Sequence, residues 1–377
     1  MNYTTEAIWN KIQNGVFVIA EAGKNFIHTE KEQSVKVYLK NAMELARLAK
    51  EAGADAIKFQ THVAEDEILN IHVDSPHFPN WKSGRRAWIT RNEMATPIKE
   101  FWKPLKKYCE KINIAFFSTP MSRAAAFKLA KIGMPIWKIG SGDILDFTAM
   151  DYMRNTDLPI IMSSGMSTVD EVEKGLRFLR SNNKRVALMH CLSKYPGLPK
   201  EANLGTMLFY QEKWPDIPIG FSENSIGYEP SVIAVALGAK MVEKHFTLRR
   251  DLWGPDHKVS STPKELREFV TAVRKVEADP REKEKWLSHP NFKMILGKKE
   301  KKLQEDEKVF RPLFRKALMA GQDISAGTIL RPEMIYAMRP QQYAGGLPSE
   351  KYEEVIGKRI VASLKKYDPI TPDILAI

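Results

Sequence analysis

The sequence predicts an α/β protein, a (β/α)8 TIM barrel followed by a small β-rich domain. Three observations carry this. Short apolar runs alternate with longer stretches of helical periodicity up to about residue 280. There are eight such runs, and their apolar character implies parallel strands covered on the outside by helices. After residue 309 the spacing shortens to strands and turns. Eight strand–helix units match a closed barrel. An open, doubly wound sheet is the competing architecture, because periodicity does not show closure.

Taken in order, the predicted strands are 16–20, 56–59, 115–117, 137–139, 160–162, 187–189, 219–221 and 241–243. The predicted helix over 34–52 places Val35, Leu39, Ala42, Leu45, Ala46 and Ala49 on one face. Further helices are expected over 98–111, 123–131, 169–180, 231–237 and 263–278. Thr168 and Glu171 have capping-box spacing at the head of one of them. The stretch 65–96 breaks the rhythm with Pro76, His77, Phe78, Pro79, Trp81 and Trp88. It reads as a long loop on the rim, where the aromatic residues either stack on a ligand ring or pack on the barrel itself. The domain boundaries follow as 1–280 for the barrel, 281–309 for a Lys- and Glu-rich linker, and 310–377 for the small domain. In that last segment short strands are expected at 317–319, 321–327, 335–338, 357–362 and 367–370.

Composition narrows the class. The 377 residues are 43% hydrophobic and 28% charged, which suits a folded globular chain. No apolar run is long enough for a membrane span, and residues 1–13 do not read as a signal peptide. Cys109 and Cys191 have no ligand-like spacing, so a reduced, cytoplasmic protein without structural disulfides is expected. The net charge of +12 suits either nucleic acid or small anionic ligands. Its densest tract, 298–308, alternates Lys with Glu, Gln and Asp and reads as a solvated face. No nucleic-acid motif occurs elsewhere, so the charge itself says little and no nucleic-acid partner is expected.

Polar groups gather where the apolar runs end: Glu21; Lys58, Gln60 and Thr61; Ser118 and Thr119; Lys138, Ser141 and Asp143; Ser163 and Ser164; His190, Ser193 and Tyr195; Ser222, Glu223 and Asn224; Glu243 and His245. In a barrel these ends share one mouth, the face that carries catalytic groups. Lysines, hydroxyls and glycine turns suit an anionic ligand. The carboxylates with His245 suit general acid–base work or a divalent metal.

At this point the stretches Ile19–Asn25 (IAEAGKN), Lys58–Thr61 (KFQT), Phe117–Pro120 (FSTP), Lys138–Asp143 (KIGSGD), Ser163–Met166 (SSGM), His190-Cys191 with Tyr195-Pro196, Glu243–Phe246 (EKHF) and Gly254–Asp256 (GPD) resemble the sialic acid synthase (N-acetylneuraminate synthase) family. The likeness runs in order along almost the whole chain. In the tail, Ala320–Ile329 (AGQDISAGTI), Met338–Pro340, Gly345-Gly346 and Gly357-Lys358 resemble its antifreeze-like (SAF) domain.

The resemblance implies condensation of phosphoenolpyruvate with an N-acetylated amino-sugar aldehyde. It implies that Lys58, Thr119, Lys138, Ser141, Ser163 and Ser222 bind phosphoenolpyruvate, and that Gln60, Ser193, Tyr195 and Asp256 hold the sugar. Glu21 would act at the reacting centre, with Lys138 and Asp143 beside it in the catalytic group. His245, supported by Glu243, would bind a divalent metal, manganese or magnesium. It further implies a domain-swapped homodimer in which Arg339 reaches the sugar bound in the other subunit.

Three departures stand out. The family's Asp-His pair after the seventh strand reads Glu223-Asn224, its Asn-His near the first reads Asn25-Phe26, and its Glu after the Gly-Ser-Gly turn is Asp143. Asn224 and Glu223 remain candidate metal ligands through oxygen. Ser193 stands where some members carry Asn, so a diacetamido sugar competes with N-acetylmannosamine as the acceptor. Two other readings stay open: a metal-free binding protein that kept the phosphoenolpyruvate pocket, and a keto-deoxy sugar phosphate synthase, which the β-rich tail disfavours.

Overall fold

A computed structural model describes residues 3–74 and 83–376. The apolar runs form β1 (Phe17–Gly23), β2 (Ala56–Thr61), β3 (Ala115–Pro120), β4 (Trp137–Ile139), β5 (Ile160–Ser163), β6 (Val186–Cys191), β7 (Ile219–Glu223) and β8 (Met241–His245). Most of them run on past the apolar stretch into the polar residues that follow. Every pairing among them is parallel, and the order is β3-β2-β1-β8-β7-β6-β5-β4. β1 beside β8 excludes the open doubly wound sheet. β3 and β4 close the ring by packing, without a ladder of hydrogen bonds. In this register Glu21 stands opposite both Lys58 and His245.

The helices cover the barrel as their periodicity requires. Helix Val35–Glu51 buries Tyr38, Ala42, Leu45, Ala46 and Ala49. Each large apolar side chain buried this way contributes about 1.5–3 kcal/mol. The predicted capping box of Thr168 and Glu171 forms at the head of helix Val169–Arg180. Phe26, where the family places His, is fully buried and packs on Phe101 with ring centres 5.0 Å apart. That departure therefore lies in the core and not at the mouth.

Among its described residues, the stretch read as a rim loop holds the helices Ala64–Glu67 and Gly84–Ala95. Pro76, His77, Phe78, Pro79 and Trp81 lie outside the described residues. Trp88 packs edge-on to Trp253, with ring centres 5.4 Å apart.

In the small domain β9 (Ala317–Ala320) and β10 (Ile335–Met338) pair antiparallel. The other three expected strands reduce to single bridges such as Ile324–Leu364 and Ile329–Arg359. Turns at Gly327 (φ +84°) and Gly357 (φ +80°) interrupt them before a ladder can extend.

The linker departs most from expectation. Within the tract read as solvated, Glu307 is 1% exposed and Lys301 9%. The cause is tertiary. Glu307 Oε1 accepts the backbone N–H groups of Met166 and Ser193, both at 3.0 Å. Arg311 pairs with Glu171 at 2.6 Å. The linker thus crosses the barrel mouth and sets the small domain on this chain's own barrel. No helix among the described residues is long and apolar enough to cross a membrane.

Candidate active site

The strand ends converge on one cavity of about 1130 Å³, measured out to its open rim. Glu21, Lys58, Gln60, Thr119, Lys138, Ser141, Asp143, Ser163, Ser193, Tyr195, Ser222, Asn224, Glu243, His245 and Asp256 all line it. Each comes from the end of a strand or the turn after it, so the barrel's closure is what brings them together.

Two buried lysines organise the floor. Lys58 Nζ lies 2.6 Å from Glu21, 3.4 Å from Glu243 and 3.2 Å from Thr119 Oγ1. Burial pushes this ammonium down, but Glu21 and Glu243 outweigh it and hold Lys58 above the usual lysine value. Lys138 donates to Ser163 Oγ at 2.6 Å and lies 3.7 Å from Glu243. Here burial prevails: Glu243 offsets it only in part, Lys58 adds to the lowering, and Lys138 sits below the usual value. Glu243 is pulled down by Lys138, Lys58 and His245 against the opposing effect of its burial. Around the lysines, the amide of Gly165 donates to Ser141 Oγ at 3.1 Å. Gln60 donates to Glu21 Oε1 at 2.9 Å and accepts from Lys24 at 2.7 Å. The arrangement is a floor of two buried lysines, each with a carboxylate and a hydroxyl beside it.

Two expected site residues do not join it, and both are corrections. Glu223 turns to the outer side of the barrel, where Ser225 and Ser231 donate to its two oxygens and Lys244 stands 3.4 Å away. Strand alternation is the reason: Ser222 faces in, so its neighbour faces out. Arg339 is fully buried beneath the cavity wall, bonded to Asp143 and 4.0 Å from Glu67. It docks on its own barrel because the linker carries the small domain there. Asp143 also pairs with Lys316 at 3.1 Å. Its Oδ1 therefore clamps the small domain, while Oδ2 has no hydrogen-bond partner among the described residues.

The chain's relatives can be read against this geometry. A model of the NeuB family matches residues 45–285, and a SAF domain model matches 315–376. The chain belongs to the NeuB family. N,N'-diacetyllegionaminic acid synthase of Campylobacter jejuni is 30% identical, over 93% of this chain and 97% of its own. The human N-acetylneuraminate-9-phosphate synthase is 29% identical, over 97% and 94%. Among solved structures, the spore coat polysaccharide biosynthesis protein SpsE of Bacillus subtilis superposes with a TM-score of 0.74 at 30% identity, covering 96% of this chain and 95% of that one. This NeuB-family chain is an enzyme, a transferase of the sialic acid synthase type.

Trp88 lines the cavity, as one of the two readings of the rim aromatics expected, and sequence reasoning missed other residues that line the cavity of this NeuB-family enzyme: Lys24, His62, Arg85, Met121, Cys191 and Phe314. His62 directly follows the KFQT stretch and is held by Glu67 at 2.8 Å, with Nε2 buried and unpartnered among the described residues. Its place just past β2 was the available signal. Phe314 arrives from the short helix Arg311–Phe314 ahead of β9, and nothing local to it marks it.

Proposed function

We propose that this chain joins phosphoenolpyruvate to an acetamido-hexose, giving a nine-carbon keto sugar acid and inorganic phosphate. One observation carries the reading: two buried lysines stand among Thr119, Ser141, Ser163 and Ser222 with carboxylates at hand. That group suits a small ligand bearing both phosphate and carboxylate. Relatives named for N-acetylneuraminate 9-phosphate, N,N'-diacetyllegionaminic acid and pseudaminic acid support a sugar-acid product.

In this reading Lys58 and Lys138 hold phosphoenolpyruvate, and the four hydroxyls orient it. Gln60, Ser193, Tyr195 and Asp256 position the sugar so that its aldehyde carbon faces the enol carbon. A C–C bond forms between the aldehyde carbon and the methylene carbon of phosphoenolpyruvate, water adds at the neighbouring carbon that bears the phosphate oxygen, and the C–O bond from that carbon to phosphate breaks. Glu21, oriented by Gln60 and Lys58, moves the proton or places the water.

A divalent metal, manganese or magnesium, completes the proposal. Among the described residues no three His, Cys, Asp or Glu side chains converge into a closed metal site. His245 Nδ1 and Glu243 Oε2 are nonetheless buried without hydrogen-bond partners. Asn224 uses its Nδ2 on Leu192 O at 2.7 Å, which leaves its carbonyl oxygen for a cation. That donor set fits a hard ion that keeps several of its waters. When bound, such an ion supplies Lewis-acid polarisation of the aldehyde oxygen. Asn224 and the sparse donor set also support the competing reading, a metal-free binding protein. Titration with manganese decides between them. Saturable binding, weakened at least ~10-fold by His245→Ala, is expected from the enzyme reading, and no binding is expected from the other.

The lowered pKa of Lys138 gives a pH dependence. Its positive charge is lost as pH rises through a value below the ordinary 10.5. Phosphoenolpyruvate affinity should therefore fall on the alkaline side before ordinary lysines titrate. Lys138→Arg, which stays charged, should abolish that alkaline limb, and a limb that persists would assign it to another group.

We further propose that the chain forms a homodimer. Light scattering at the mass of a single chain would exclude it.

A further inference from the structure

Among the described residues, Arg85 is a cavity cation with no carboxylate in ion-pair contact. It lies at the start of helix Gly84–Ala95, lines the cavity and is 7% exposed. Its guanidinium lies 3.9 Å over the ring of Phe314. Among the described residues its side chain makes no hydrogen bond and no ion pair, and Nε is buried without a partner. The neighbouring Arg86, by contrast, donates to Ile68 O at 2.6 Å. Lys58 and Lys138 have Glu21 and Glu243. Arg339 has Asp143 and Glu67.

The charges acting on Arg85 are those of Arg339, Glu67 and Asp143. It comes from the helix Gly84–Ala95, whereas the two floor lysines come from β2 and β4. Burial, followed by Arg339, pushes its guanidinium down to about 9. A buried guanidinium without a carboxylate is costly to keep. It becomes favourable when a ligand brings the anion, because the planar fork grips phosphate or carboxylate through paired charge-assisted bonds. The Phe314 ring fixes the plane of that fork. Trp88, Ile89 and Met121 line the same cavity with apolar surface.

We infer that Arg85 anchors a second anion subsite, which takes an acidic group, phosphate or carboxylate, at the end of the acceptor sugar remote from its aldehyde. This rests on reading Lys58 and Lys138 as the phosphoenolpyruvate site. It makes the enzyme selective for an acidic amino sugar over a neutral one.

The test uses alditols, which lack the aldehyde and cannot react. Full-length protein saturated with phosphoenolpyruvate is titrated calorimetrically with N-acetylmannosaminitol, its 6-phosphate and its 6-carboxylate analogue. At least one acidic alditol should bind ~10-fold or more tighter than the neutral one, and the better of the two names the group. Arg85→Gln should erase that advantage and leave the neutral alditol within ~2-fold. Arg85→Lys, which keeps the charge but loses the fork, should retain part of it. Equal binding of all three alditols would overturn the subsite. So would an advantage that survives Arg85→Gln, or equal weakening of every alditol in both variants. Failure of the condensation itself would show as no phosphate release with any aldehyde sugar, while the alditol comparison remains readable.

Discussion

Lys58→Met should reduce kcat/KM for phosphoenolpyruvate by ~10³-fold or more and destabilise the fold by about 3–5 kcal/mol. The Lys58 ammonium sits between Glu21 and Glu243, at side-chain exposures of 3%, 2% and 8%. Removing it leaves two buried carboxylates without the cation that contacts both. Attraction in such a site is strong only while the partners are present, so a lone carboxylate keeps its desolvation penalty without compensation. The loss should also depend on pH. Glu243 is held below the ordinary carboxylate value by Lys138, Lys58 and His245 against its burial. With Lys58 gone, its pKa rises and protonation relieves the repulsion. The deficit should therefore be larger at pH 8 than at pH 5. Denaturant unfolding at both pH values, alongside steady-state kinetics, checks this. A variant as stable as the parent at pH 8 would show that Lys58 does not neutralise the pair.

Gly165→Ala should lower kcat/KM by ~10²-fold with little loss of global stability. An added Cβ would stand 2.1 Å from Ser193 Oγ and 2.7 Å from Ser141 Oγ, closer than any real contact. Both hydroxyls face the cavity and can rotate away, so the fold should survive. Their new positions would misplace the groups meant to hold the two substrates, and displacements of about 1 Å cost activity on this scale. Unchanged kinetics with an intact melting temperature would remove Ser141 and Ser193 from the substrate-binding set.

Much of this site was legible because a parallel barrel ties chemistry to a simple pattern. An apolar run must end where it leaves the core, and in this fold every such end faces the same mouth. Lys58, Lys138 and His245 could thus be placed with their strands. Glu223 shows what the pattern needed in addition. It follows Ser222, which faces inward, so alternation alone places Glu223 outside, against Ser231 of helix Glu229–Ala236. Glu307 and Lys301 were illegible for another reason. Their surroundings read as solvated, and only the β5 and β6 loops, more than a hundred residues away, bury Glu307. Arg85 cannot be told from Arg86 by sequence, since the direction of each side chain is set by the helix's seat on the rim.

The most direct test of the central claim is the accurate mass of the product formed from phosphoenolpyruvate and aldehyde amino sugars. The panel contains N-acetylmannosamine, its 6-phosphate and diacetamido-hexoses, each with manganese and with chelator. The account predicts a product whose mass equals the acceptor plus pyruvic acid, one phosphate released per product, and neither in chelator. Intact phosphoenolpyruvate with every sugar, or a product that keeps the enolpyruvate phosphate, would contradict it.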